Sequence, residues 1–316
     1  MNIKRIIDKN NKLIWYIALI IVFVLFSIKL LNSYYEKDEE RKKIEIINNE
    51  KNQTTQNTTE IEQTNNSVES DSIEKTMKSF VNYCNNREIE NAYKILTDEC
   101  KNAMFPTIDY LEKNYIDKIY NINRTYEMVK WSTDENKTTY LVKLYGDLLS
   151  TGGTDNNYTE DYYTFVEDDN GIYKLNINNY IYGEDKNIEE TKQNITIKIG
   201  HVDVYEEYEK AKITIINNTL KTICITGNKN NKNIYLQNAK NTTYSSLNSK
   251  FDSEEIVLKP NGIQTLWVEF NKVYSSTNEA QYLVLSDVIL DYEDYLNSED
   301  KDTYSYRTSI KVQYQK

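Results

Sequence analysis

The sequence predicts a single N-terminal transmembrane helix, then an α+β domain, then an all-β sandwich. Three observations carry that prediction. Residues Leu13 to Leu31 read LIWYIALIIVFVLFSIKLL, the one strongly apolar run in a polar, acidic chain. The apolar period changes from 3.6 to 2 after about residue 120. Beyond Ile195, short alternating segments follow one another at close intervals, as in sandwiches.

The apolar run sets the first element. A helix of about 19 residues at about 1.5 Å per residue covers roughly 28 Å, close to a bilayer's hydrocarbon core. Residues 1–12 hold Lys4, Arg5, Lys9 and Lys12 against Asp8. Positive charge is retained inside, so this tail is expected in the cytoplasm and the later residues across the cell membrane. Trp15 and Tyr16 at one end, and Tyr34 and Tyr35 at the other, suit the two interfaces. A cleaved signal peptide has a core of about 7–15 apolar residues and a small-residue site. Here the run is longer, and Ser27, Asn32 and Ser33 stand beside Lys29, Leu31 and Tyr34. A retained single-pass anchor over 13–31 is therefore expected.

Charge narrows the partners. The chain of 316 residues has a net charge of -11. Residues 1–31 carry five Lys/Arg and one Asp, or +4, which leaves about -15 for the rest. Such a surface repels nucleic acid and anionic lipid. Tyr 28 against Phe 7, with Pro 2 and abundant Asn, Lys and Ile, points to the AT-rich genome of a low-GC bacterium. Cys84, Cys100 and Cys224 are too few and too odd in number for a disulfide framework. Cys84 and Cys100 continue apolar helical stripes and read as small buried hydrophobes.

Residues 32–70 become NNEKNQTTQNTTEIEQTNNSVES, too poor in apolar groups to offset their ordering entropy. They read as a disordered tether. Asp71-Ser72 reads as the cap of a first helix running to about Asn85. A second helix is expected over Glu88 to Met104, and Thr107 should cap a third with Ile108, Leu111, Tyr115, Ile116 and Ile119 on one face. Strands follow at 125–132, 137–149, 158–167 and 172–181, with Asp169-Asn170-Gly171 as a hairpin turn. Asp185 to Thr191 is expected as a short polar join. The second domain should span 192–316, with turns at Asn217-Asn218, Gly227-Asn228 and Pro260-Asn261-Gly262 and Trp267 in its core.

The order of elements in 71–183 resembles the nuclear-transport-factor-2-like superfamily. The residues that carry the resemblance are SFVNYCNNREIENAYKIL, the Phe105-Pro106-Thr107 break and the hairpin YYTFVEDDNGIYKLNI. It implies a cone of three helices wrapped by a bent sheet. That superfamily includes isomerases, dehydratases, non-enzymatic accessory domains and assembly factors of secretion machines, and fold alone does not choose among them. The second domain looks like an immunoglobulin-like sandwich, without the Cys-Trp-Cys spacing of true members.

Reactive chemistry finds little support. His201 is the one histidine, and it sits in a strand pattern rather than beside a nucleophile. A transition-metal site needing several His and Cys is equally unsupported. Ser72-Ile73-Glu74-Lys75 matches Ser-x-x-Lys without its companion motifs, so Ser72 reads as a helix cap. Asp168 to Gly171, Glu206-Glu207-Glu209 and Asp291-Glu293-Asp294 follow no calcium-loop pattern and read as a turn and solvated edges. Gly152-Gly153 lacks the ending of a phosphate loop. By resemblance, Trp131, Tyr140, Tyr162 and Tyr173 are candidates to line a cone pocket. Asp147 and Asp161 are the candidate carboxylates an isomerase would need to bury.

The expected function is that of a membrane-anchored extracytoplasmic interaction or scaffold protein with no cofactor and no catalytic residues. It would meet protein partners at the cell surface, a cell-envelope or conjugation-type assembly being one such setting. The alternative is a tethered small-ligand-binding or sensing protein that uses the cone pocket. An isomerase or dehydratase ranks third.

Overall fold

Helix α1 (Glu60–Asn85) opens the part of the chain that the computed structural model describes, namely residues 60–146, 158–227, 230–248, 251–275, 279–301 and 304–315. The apolar run at 13–31, the tail before it and Asp147 lie outside these residues. No Gly or Pro interrupts α1, so Asp71 and Ser72 sit within the helix rather than at its cap. Ile73, Met77, Phe80, Val81 and Cys84 form its buried stripe, at the spacing of one helical face.

The expected second helix is two, α2 (Ile89–Ile95) and α3 (Asp98–Met104). Thr97 breaks it. Its side chain accepts the Cys100 amide at 2.9 Å, and its own amide donates to Leu175 O at 2.9 Å. A capping residue with a sheet carbonyl in reach ends one helix and starts the next. Thr107 caps α4 (Ile108–Leu111) through the Tyr110 amide at 3.1 Å. A π turn over Glu112–Ile116 and α5 (Asp117–Ile119) continue it. Leu111, Tyr115 and Ile116 are buried, whereas Ile108 stays exposed.

Strands β1 (Arg124–Asp134), β2 (Lys137–Gly146), β3 (Tyr158–Glu167) and β4 (Tyr173–Asn176) form an antiparallel sheet in that order. In the β3–β4 hairpin, Asp168 Oδ1 accepts the amides of Asn170 and Ile172, each at 2.9 Å. Gly171 takes φ 74° and its amide donates to Asp168 O at 2.9 Å. One face of the sheet presents Val142, Leu144, Tyr163, Phe165 and Leu175 to the α1 stripe. The other face presents Trp131, Leu141 and Tyr162 to a second core. Trp131 is the extra residue of a bulge between Lys130 and Ser132, and alternation from Tyr126 and Met128 on the helix side puts its ring on the second-core side.

Strand β5 (Tyr180–Lys192) follows a tight turn in which Asn178 and Asn179 both have positive φ. The polar stretch Asp185 to Thr191 is strand, because it pairs antiparallel with β6 (Ile195–Tyr205). Tyr180 belongs to the first core and Ile181 and Ile188 to the second, so one strand serves both. With β7 (Glu209–Asn217) and β12 (Ile263–Phe270), these make a sheet of order β12-β7-β6-β5.

A third sheet has the order β10-β9-β13-β8-β11, with β14 (Arg307–Gln313) also paired to β13 (Ala280–Ile289). The others are β8 (Ile223–Cys224), β9 (Ile234–Asn238), β10 (Thr243–Ser245) and β11 (Val257–Leu258). Ile197, Ile213 and Val268 from one sheet share a core with Leu236, Leu285 and Ile310 from the other. Trp267 is not in that core. Leu266, Val268 and Phe270 point inward, so the period of 2 turns Trp267 outward, 42% exposed, with Lys210 Nζ 5.5 Å from its ring centre. All three cysteines are buried.

The expected fold class is corrected by these findings. The described residues are mostly strand with few helices, arranged in a sandwich-like mix of sheets. None of their helices is long and apolar enough to cross a membrane. Nor does the first sheet close a cone standing apart from an all-β domain. It is covered on both faces, and β5 continues from its core into the next.

Candidate functional site

The four residues expected to line one pocket lie on two faces of the first sheet. Tyr140 packs edge-on against Phe165, ring centres 5.5 Å apart, and Tyr173 is buried on the same helix-facing side. Trp131 and Tyr162 lie 4.6 Å apart on the opposite side, where Trp131 also meets Tyr274 at 5.3 Å. Between the helices and the sheet, aromatic rings occupy the interior. Phe80 meets Tyr163 at 5.9 Å and Phe105 meets Tyr115 at 5.8 Å, both edge-on.

Asp161 lies at the rim of that aromatic interior, and it is buried. The Tyr115 hydroxyl donates to its Oδ2 at 2.7 Å, and the amides of Asn178 and Asn179 donate at 3.1 and 2.8 Å. Each phenol has one proton. Because Tyr115 uses its proton in the bond to Asp161, Tyr163 donates to Tyr115 across 2.5 Å, and Tyr120 stands 3.4 Å from Tyr163. Burial lifts the Asp161 carboxyl to about 6, against the opposing pull of Tyr115 and the turn amides. Burial likewise raises Tyr115 and Tyr163 well above the usual phenol range. Asp161 thus meets the burial condition set for a catalytic carboxylate, but its oxygens hold the β4–β5 turn.

His201 lies on β6 between two carboxylates. Its Nδ1 is 2.7 Å from Asp185 Oδ1 and its Nε2 is 3.2 Å from Asp203 Oδ1. The Tyr180 hydroxyl donates to Asp203 at 3.1 Å. Partial burial acts to lower the imidazole, but the two carboxylates outweigh it and raise it. The acidic clusters are likewise engaged. Glu209 forms a buried ion pair with Lys272, and Asp291 caps a short helix, α6 (Tyr292–Asn297), while pairing with Lys221 at 2.9 Å. No cluster of three or more His, Cys, Asp or Glu placed to hold a metal occurs among the described residues.

An open groove of about 460 Å³ runs between α1, α2 and the start of β4. Ser72, Thr76, Ser79 and Tyr83 form its floor along one side of α1, and Ile95 and Ile172 flank it. Lys75, Lys94 and Lys174 come to it from three elements, and no carboxylate lines it. Among the described residues, none of these lysines forms an ion pair. Lys174 Nζ donates to Lys94 O at 2.8 Å and adds a secondary charge effect on Asp98. Tyr173, one of the expected pocket residues, is on its wall. Sequence reading missed this groove, because nothing local links lysines some hundred positions apart. Ser72 and Lys75 both line it, and Ser72 is a helix-interior residue whose carbonyl accepts Thr76 Oγ1 at 3.0 Å.

No known protein family, curated protein or solved structure matches this chain. The resemblances to the nuclear-transport-factor-2-like superfamily and to immunoglobulin-like domains therefore gain nothing from relatives. The fold supports the coarser statement, a largely β-sheet protein with sandwich-like packing.

Proposed function

We infer that the chain is a non-catalytic interaction or scaffold protein, held at the cell membrane by residues 13–31 with its later residues outside. The carrying observation is the contrast between the filled aromatic interior around Asp161 and the open, lysine-lined groove on the surface. The titratable groups Asp161 and His201 are engaged in holding turns and strands, whereas unpaired charge faces solvent in a concavity. The membrane location rests on the apolar run and the charge asymmetry of the tail before it. Co-purification of the full chain at native expression tests the reading. A stoichiometric protein partner is expected, and recovery of the chain alone would sink it.

A second reading, small-ligand binding or sensing, is favoured by the volume of the groove, which lies within the range of ligand pockets. It predicts a rise in melting temperature with a bound compound, by linkage. A broad screen that moves nothing removes it.

A further inference from the structure

We propose that the groove between α1, α2 and β4 is a docking site for an acidic, extended polypeptide segment of a partner. The proposal rests on the reading of this chain as an interaction protein and specifies its binding surface. The groove's length argues for an extended occupant. Its floor follows α1 from Ser72 to Tyr83, about 16 Å at 1.5 Å per residue. That matches about five residues of extended chain at roughly 3.3 Å each. Its charge argues for an acidic one. In a chain of net charge -11, three lysines converge on one concavity with no carboxylate among the lining residues. Lys75 and Lys94 are exposed, so a carboxylate partner can reach them without a large desolvation penalty. The hydroxyls on the floor offer hydrogen bonds to a peptide backbone. Ile95 and Ile172, the latter 56% exposed, offer apolar ledges for alternate side chains.

The closing experiment uses the full chain and a fluorescently labelled peptide alternating Glu and Leu, with its Lys/Leu counterpart as control. The Glu peptide should bind, the Lys peptide should not, and affinity should fall as salt rises. Charge reversal by Lys75→Glu with Lys94→Glu should weaken binding about tenfold or more. Lys78→Glu, exposed on α1 and outside the groove, should change it far less. Equal loss in the two variants would mean a general charge effect and would overturn the assignment. So would displacement of the peptide by equimolar inorganic phosphate or by a polyphosphate, which would make the site one for small or polymeric phosphates. Both substitutions sit on exposed side chains, and an unchanged melting temperature confirms folding. If the native partner is still captured by the groove variant, the interaction reading stands and this docking site falls. If no partner is captured by either protein, the interaction reading falls as well.

Discussion

At Asp161 a carboxyl raised to about 6 stands against an ordinary value of 3.8. The folded state therefore holds a proton between those values that the unfolded state has released. Stability from this group is fully present below about pH 4 and is lost as pH rises through 6, on the order of 2–3 kcal/mol in total. His201, also raised, acts in the same direction, its contribution fading as pH rises past the ordinary histidine range. Urea unfolding at pH 4.5 and pH 7 should show the difference, and Asp161→Asn should flatten it. A slope unchanged in that variant would assign the effect elsewhere. Lys272 and Glu209 are a sharper case, with side chains 5% and 6% exposed and Tyr314 donating to the same carboxylate at 3.3 Å. Lys272→Ala leaves a buried, unpaired charge and should cost about 3–5 kcal/mol. Replacing both partners with apolar residues should cost much less, as a double-mutant cycle by denaturant unfolding would measure. The sequence named Asp161 as a candidate, but its role was out of sight. What engages it comes from Tyr115 and from a turn at Asn178-Asn179.

Strand β12 shows how one register decides many residues. Tryptophan looked like core because of its size, yet Leu266, Val268 and Phe270 claim the inward positions. Trp267→Ala should change stability by less than about 1 kcal/mol, and Phe270→Ala should cost about 3–5 kcal/mol. A large loss from Trp267→Ala in thermal unfolding would show that the outward face is covered. At Gly227 an added Cβ would lie 2.1 Å from Asp287 Oδ2, within the carboxylate that Arg307 grips with two bonds of 2.8 Å. Gly227→Ala should therefore loosen β13 from β14 and cost about 1–3 kcal/mol, read as a lower unfolding midpoint. Elements with local signals were legible, such as the Thr107 cap and the Asp168 to Gly171 hairpin. Those decided by a distant partner were not. The break at Thr97 depends on the Leu175 carbonyl, and the polar run Asp185 to Thr191 becomes strand only because β6 lies alongside it.

The described chain reads less as two serial domains than as sheets joined by a shared strand. The first sheet gives Trp131, Leu141 and Tyr162 to the second core, and β5 contributes to both cores. A fragment ending at residue 183 would expose those aromatics and leave β5 without β6. It should fail to give a dispersed amide spectrum, whereas the intact chain should. A well-folded fragment would show that the cores are independent. Sequence periodicity separated a helical part from a strand-rich part, because period is a local property. It could not show that a sheet is covered twice, since both faces of β2 and β3 carry aromatic and aliphatic residues. The groove was hidden for the same reason: concavity and unpaired charge arise only once Lys75, Lys94 and Lys174 are brought together.

The two Asn-Gly turns carry a consequence for how this protein ages. Asparagine before glycine deamidates when the glycine nitrogen attacks the side-chain amide and closes a succinimide ring. In both turns that nitrogen is occupied, Gly171 donating to Asp168 O at 2.9 Å and Gly262 to Lys259 O at 2.8 Å. Ring closure must wait for the turn to open, so the rate of isoaspartate formation at Asn170 and Asn261 becomes a chemical clock for local opening. Mass spectrometry on stored protein would read that clock at two separate places, one beside the groove and one beside β12.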